Sequence, residues 1–268
     1  MSTPLLEEWK STATPIVGML HAPPLPGAPA CHMGLHAIRE YVLRDADVLV
    51  AGGVHGLMLE NFGDVPFFPG HVPAFVVAQM TALASAVRQR FDMPLGINVL
   101  RNDGCSALGI AHAVGAAYIR VNVLCSARLT DQGLIQGIAH ELLRDRVLLR
   151  AEHVRILADV DVKHSTPLGP PRPLEEEIAD TIERGGADAI IISGTGTSRP
   201  TDVEQVRRAK AASGDVPVLV GSGVDPENVA DLVSLADGLI IGSAFRGDGC
   251  ATNPVDPARV AALMHVIG

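Results

Sequence analysis

The chain has 268 residues, a length that suits one (β/α)₈ barrel of about 250 residues forming a single domain. Hydrophobic residues make up 47% and aromatics 3%, so the core is expected to be built from Ala, Val, Ile and Leu. A formal net charge of −9 argues against the basic face of a nucleic-acid binder, and no apolar stretch reaches the ~20 residues of a membrane helix.

Eight short apolar runs read as strands: 16–21, 54–60, 95–100, 117–123, 155–161, 187–193, 216–221 and 238–242. Their apolar continuity fits strands buried on both faces of a parallel sheet. The segments that follow them have helical spacing: 34–51, 73–90, 103–114, 132–149, 174–185, 202–212, 226–234 and 257–266. Asp225-Pro226 and Asp256-Pro257 read as an N-cap with Pro at the first helical position. Gly52-Gly53 and Gly185-Gly186 read as helix stops. Eight uninterrupted strand–helix alternations predict a closed parallel barrel, a single TIM barrel. An open doubly wound sheet competes, but no GxGxxG follows the first strand, which ends in His21 and runs into Pro23-Pro24.

In such a barrel the site lies at the C-terminal strand ends. The polar residues there are His21, Glu60, Asn98, Arg101, Asn102, Asp103, Arg120, Asn122, Asp159, Asp161, Lys163, His164 and the run Ser193-Gly194-Thr195-Gly196. Gly221-Ser222-Gly223 and Gly242-Ser243 end the last two strands. Glycine lets backbone N–H groups approach a phosphate, serine adds a hydroxyl donor, and a following helix would add its positive end. These five residues are the expected phosphate site. Arg120 and Asn122 share one strand face with Tyr118, so an inward Arg120 needs a carboxylate or an anionic ligand. Asp159 and Asp161 share a face as well, and read as an acid–base pair, as ligands of a divalent cation, or as one inward Asp with one turn cap. Lys163 suits a phosphate clamp or a Schiff-base amine. His21 and His164 suit proton transfer or hydrogen bonding. Together these assign acid–base or covalent chemistry to Glu60, Asp159, Lys163 and His21, and substrate contacts to Asn98, Asn102, Arg120, Asn122, His164 and Ser193. The first strand offers no His-x-His metal pair, and the remaining helix and turn histidines read as surface residues.

The N-terminal MSTPLLEEWKS is acidic and has no apolar segment, which reads as a chain without a secretory signal and hence cytoplasmic. Cys31, Cys105, Cys125 and Cys250 lie far apart without a CxxC pair and read as free thiols.

Several stretches together resemble the BtpA/SgcQ family: PIVGMLHAPPLPGAP from Pro15, LENFGDVPF from Leu59, GINVLRND from Gly96 and IRVNV from Ile119. TDQGLIQG from Thr130, ADVDVKHSTPLG from Ala158, GSGVDPENV from Gly221 and ADGLIIGSAFRGDG from Ala236 continue the resemblance over nearly the whole chain. It implies a TIM barrel similar to the phosphate-binding barrels of the ribulose-phosphate-binding type. One branch of the family is named for photosystem I biogenesis and another sits among sugar-uptake functions, with no agreed reaction. Three readings therefore stand. The first is an isomerase- or aldolase-like enzyme on a phosphorylated small metabolite such as a sugar phosphate or nucleotide. The second is a non-catalytic assembly factor for a membrane complex. The third is a metal-dependent lyase or hydrolase using Asp159, Glu60 and His164. A homo-oligomer is expected, because such barrels often self-associate.

Overall fold

The computed structural model describes residues 4–194 and 201–267. In chain order the strands are β1 (Ile16–His21), β2 (Gly56–Glu60), β3 (Leu95–Asn98), β4 (Tyr118–Val121), β5 (Ala127–Thr130), β6 (Gly133–Gln136), β7 (Arg155–Val160), β8 (Ser165–Pro167), β9 (Ala189–Ile192), β10 (Val218–Val220) and β11 (Gly238–Ile241). The helices are α1 (Leu35–Ala51), α2 (Ala74–Arg90), α3 (Gly104–Val114), α4 (Ala139–Leu148), α5 (Leu174–Ala179), α6 (Val203–Ala212), α7 (Val229–Leu235) and α8 (Pro257–Ile267). A π-helical turn, Asp180–Arg184, extends α5. Eight parallel strands close in the order β1-β11-β10-β9-β7-β4-β3-β2, as the alternation predicts. Among the described residues no helix is long and apolar enough to cross a membrane.

Two apolar layers hold the barrel. The larger lies between strands and helices, where Ile16, Leu20, Leu57, Leu59, Ile97 and Ile119 meet Ile38, Leu49, Met80 and Leu108. The smaller fills the interior with Met19, Met58, Tyr118, Leu157, Ile191, Leu219 and Ile240. Trp9, from a short 3₁₀ turn, packs on Tyr118 with ring centroids 5.7 Å apart and closes the N-terminal end. Its indole Nε1 donates to the His55 carbonyl at 2.9 Å. Side chains alternate along a strand, so the next inward positions follow directly. They are His21, Glu60, Asn98, Arg120, Asp159, Ser193, Gly221 and Gly242. Above the apolar interior, every barrel strand ends inward in a polar residue or a glycine.

Three expectations are corrected. The helix expected over 132–149 is a hairpin followed by a shorter helix. Thr130 Oγ1 accepts from the Gln132 N–H, and Gly133 takes φ +92°, which turns β5 back onto β6 before α4 begins. With β8 they form a small sheet in the order β6-β5-β8. The helix expected at 226–234 starts only at Val229, because the Asp225 carboxylate accepts from the Glu227 and Asn228 N–H groups and closes a separate turn. Asp161 does not continue the inward face of β7. It has φ +52°, and its side chain is 54% exposed and paired with Arg128.

Gly96 explains how the interior closes around a tyrosine. A Cβ there would lie 2.0 Å from the Tyr118 ring, whose hydroxyl donates to the Leu57 carbonyl at 2.8 Å. Gly96→Ala should cost about 3 kcal/mol of stability through overpacking. Gly109→Ala, in α3 with nothing within 4 Å, should instead gain about 0.5–1 kcal/mol. Urea unfolding of both variants checks this, and equal effects would refute the packing account.

Candidate functional site

The mouth of the barrel is organised by a buried ion pair. Asp159 accepts from Arg120 Nη2 at 2.8 Å and Nε at 3.1 Å, and from Asn122 Nδ2 at 2.6 Å. Arg120, Asn122 and Asp159 are all buried. Both carboxylate oxygens are therefore engaged, and Asp159 is a positioning group for Arg120 rather than a free acid or base. Arg120 Nη1 also reaches the Gly221 carbonyl at 3.5 Å. A Cβ on Gly221 would meet Ile191 Cγ2 at 2.3 Å and Arg120 Nη2 at 3.1 Å, so this glycine makes room for the guanidinium.

His21, Glu60, Arg120, Lys163, residues 221–224 and residues 240–243 line one cleft of about 430 Å³, counted to its open mouth, together with Met19 and Phe62. His21 lies flat against Phe62, centroids 4.3 Å apart. Its Nδ1 contacts the Ala251 carbonyl at 2.9 Å. A carbonyl only accepts, so Nδ1 carries the proton and Nε2 presents a lone pair. Burial first, and then the positive Arg246, hold the His21 pKa well below the usual histidine range. The ring is therefore neutral near pH 7. Nε2 lies 3.9 Å from Glu60 Oε1. Burial pushes the Glu60 pKa up, against the pull of Arg120, Lys163 and Arg101. Lys163 is partly buried, and burial, reinforced by Arg120, brings its pKa down to about 8.

The last two strand ends form the other wall. The carbonyls of the turn after β10 are tied back by side chains: Ser222 O accepts from Thr201 Oγ1 at 2.6 Å and Gly223 O from Asn228 Nδ2 at 2.7 Å. The N–H groups of Ser222, Gly223 and Val224 have no acceptor among the described residues. Ser222 Oγ is buried and has no hydrogen-bond partner among the described residues. Ser243 lines the same cleft beside Gly242, where a Cβ would stand 3.1 Å from the His21 ring. Since α7 begins at Val229, the turn closed by Asp225 stands between its first residue and residues 221–224, and its N-cap residue Asn228 is the one that holds the Gly223 carbonyl.

Other expected residues divide. Asn98 is buried, with Nδ2 donating to the Arg120 carbonyl at 3.1 Å; its Oδ1 and the buried Ser193 Oγ have no partner among the described residues. Asn102 is occupied by backbone, accepting from Val123 N–H and donating to the Val123 and Gln136 carbonyls, so it pins the hairpin instead of facing the cleft. Asp103 caps α3 through the Ser106 N–H. His164 is exposed at φ +57° and does not line the cleft. Thr195 and Gly196 lie outside the described residues. Asp159 and Asp161 pair with different cations, Arg120 and Arg128, and among the described residues no group of three or more His, Cys, Asp or Glu side chains is arranged to hold a metal.

Two contributors had no clear signal in the sequence. Arg246 is fully buried. It donates to Asp45 at 3.0 Å, to the Met19 carbonyl at 3.1 Å and to the Asn253 carbonyl at 2.6 Å. It thereby shapes the loop that offers Ala251 to His21. Phe62, two residues after Glu60, supplies the stacking face.

With this geometry in place, the BtpA family model matches residues 12–268. The chain belongs to the BtpA family. The Photosystem I biogenesis protein BtpA of Synechocystis is 45% identical, over 96% of this chain and 88% of that protein. An uncharacterised protein of Thermococcus kodakarensis is 44% identical over 94% of each. Solved structures share the fold at low identity. Tryptophan synthase from M. tuberculosis matches at TM-score 0.62 with 17% identity, covering 100% of this chain and 99% of that one. N-(5'-phosphoribosyl)anthranilate isomerase from Pyrococcus furiosus matches at 0.56 with 11% identity, covering 95% and 98%.

The Lys163 shift makes a signed prediction. Between about pH 8 and 10.5 the unfolded chain holds this proton and the folded chain has released it. Stability from this group therefore rises with pH across that window. Urea unfolding of wild type and Lys163→Met should show a more positive pH slope for the wild type there. Identical slopes would refute the shift.

Proposed function

We propose that this BtpA-family barrel binds a phosphorylated small metabolite and catalyses an isomerase- or aldolase-like proton transfer on it. The observation that carries the reading is the turn after β10, whose residues line the cleft and whose three successive amide N–H groups and buried Ser222 hydroxyl have no partner among the described residues. Buried polar groups are nearly always hydrogen-bonded, so these donors suit an anion, and the β10 and β11 ends are where barrels of this kind often hold phosphate. The phosphoribosylanthranilate isomerases that share the fold are named for a phosphorylated substrate, which supports the same reading. Gly221, Ser222, Gly223, Gly242 and Ser243 would hold the phosphate. Neutral His21 and the carboxyl of Glu60 would exchange protons with the carbon skeleton. Arg120, set by Asp159 and Asn122, would meet developing negative charge. Asn98 and Ser193 offer polar contacts beyond it.

A thermal-shift screen of sugar phosphates and nucleotides tests this. Wild type should be stabilised by at least one phosphorylated compound and not by its unphosphorylated form. Ser222→Ala/Ser243→Ala should weaken that binding about tenfold or more. No shift with any phosphate would sink the reading.

A second reading has its own support. The Synechocystis relative is named for photosystem I biogenesis, and Leu129 and Leu134, paired across the β5–β6 hairpin, are both exposed. An assembly role predicts a stable partner whose binding survives Arg120→Ala and is lost in Leu129→Asp/Leu134→Asp. A partner lost in neither variant would count against that surface.

A further inference from the structure

One charged group at the mouth is left without a counterpart. Arg101, just beyond β3, is 5% exposed. A guanidinium taken out of water carries five donors and a full charge, and is ordinarily matched by a carboxylate. Among the described residues the Arg101 side chain makes one hydrogen bond, from Nη2 to the Lys163 carbonyl at 2.7 Å, and no ion pair. Lys163 Nζ, at the edge of the same cleft, has neither an ion pair nor a hydrogen bond among the described residues.

The local charge count is unequal. Arg101, Arg120 and Lys163 are the cations and Glu60 and Asp159 the buried carboxylates that act on one another here, with the exposed Asp131 acting on Arg101 from the solvent side. Asp159 is committed to Arg120. Glu60 is the one other buried carboxylate acting on these cations among the described residues, and its own burial works against its ionisation. Among the inner groups of the mouth, where solvation is poor, cations therefore outnumber carboxylates.

The position of this surplus is informative. In the closed ring β3 stands four strands from β10, directly across the barrel. The 221–224 turn and the loop that carries Arg101 therefore spring from opposite sides of the ring, and Lys163, whose carbonyl Arg101 holds, lines the cleft from the loop after β7, midway between them. Strands spaced by about 4.8 Å and tilted by about 36° make the ring roughly 15 Å across between backbones. Side chains shorten that gap to the length of a short-chain metabolite. The acid–base groups His21 and Glu60, on β1 and β2, lie along one side of the line joining the two ends.

We propose that Arg101 and Lys163 form a second oxyanion subsite, so that the substrate is a short phosphorylated metabolite bearing another anionic group, a carboxylate or a second phosphate, at its opposite end. This rests on the phosphate reading of the 221–224 turn and narrows it. The planar fork of Arg101 suits two-oxygen contact with either group, and Lys163 adds a point charge. Binding at both ends would hold the intervening carbons against His21 Nε2 and Glu60.

Titration calorimetry on the full chain at neutral pH, with matched probes, tests the subsite. Glucose 6-phosphate and 6-phosphogluconate differ by a carboxylate; ribulose 5-phosphate and ribulose 1,5-bisphosphate differ by a phosphate. In at least one pair, wild type should prefer the doubly anionic member by about tenfold or more. The pair that shows it identifies the second group. Arg101→Met and Lys163→Met should each reduce that preference to about threefold or less, and Arg101→Lys should restore part of it. A residue that only braces the loop would weaken both members of a pair together. Equal affinity for both members in wild type, or a preference unchanged in both Met variants, overturns the second subsite while leaving the phosphate site standing. Failure of all four probes to bind overturns the phosphate reading and the subsite with it. If Arg101→Met does not fold, Lys163→Met and Arg101→Lys decide the matter.

Discussion

A guanidinium lowered into the mouth of a barrel lined with Met, Leu and Ile loses most of its hydration, and the rest of the site is arranged around satisfying it. Asp159, two residues along the inward face from Leu157, supplies both oxygens, and Asn122 fixes the carboxylate from the side. Removing one partner of a pair like this typically costs about 3–5 kcal/mol, because the other is left charged and dry. The Arg120–Asp159 pair therefore constrains its neighbours. Gly221 has no side chain because the guanidinium and Ile191 occupy that space. Asn98 turns its amide to the Arg120 carbonyl. The same pair leaves Arg101 and Lys163 as cations without a committed carboxylate.

A second buried pair does comparable work one layer away. Arg246 and Asp45 are 201 residues apart in sequence and 3.0 Å apart in space. They anchor the loop after β11, and that loop presents the Ala251 carbonyl to His21. The tautomer of a histidine in the cleft is thus set by a carbonyl whose loop is held from behind. Stability and the protonation pattern of the site share these elements, so a change at Arg246 would be felt at His21 even though the two roles differ.

Much of the site could be read from local pattern, since strand alternation is a local property. Tyr118, Arg120 and Asn122 share a face because side chains alternate, and an inward Arg demands an anion whatever the fold. The paired Gly-Ser strand ends stood out because glycine at a strand end followed by a hydroxyl residue has few structural uses. Alternation failed where the backbone leaves the strand. Asp161 takes a positive φ and swings outward to Arg128, so it does not join Asp159. The 132–149 segment misled for a related reason. Leu134, Ile135, Leu142 and Leu143 fit a helical spacing, but the left-handed Gly133 makes a hairpin of the first part.

The sequence by itself determined the eight-fold alternation, the barrel, the membership of strand ends in the site and the need of Arg120 for a partner. Each follows from periodicity or from the charge and size of one residue. Only the tertiary structure decided which groups are spent and which are left over. Whether Asn102 faces a ligand or a backbone carbonyl, whether Asp159 is free or engaged, and whether Arg101 has a counterion all depend on atoms that are tens of residues away in the chain. Closing the ring sets those distances, and with them it separates the positioning groups of this mouth from the ones that still face the cleft.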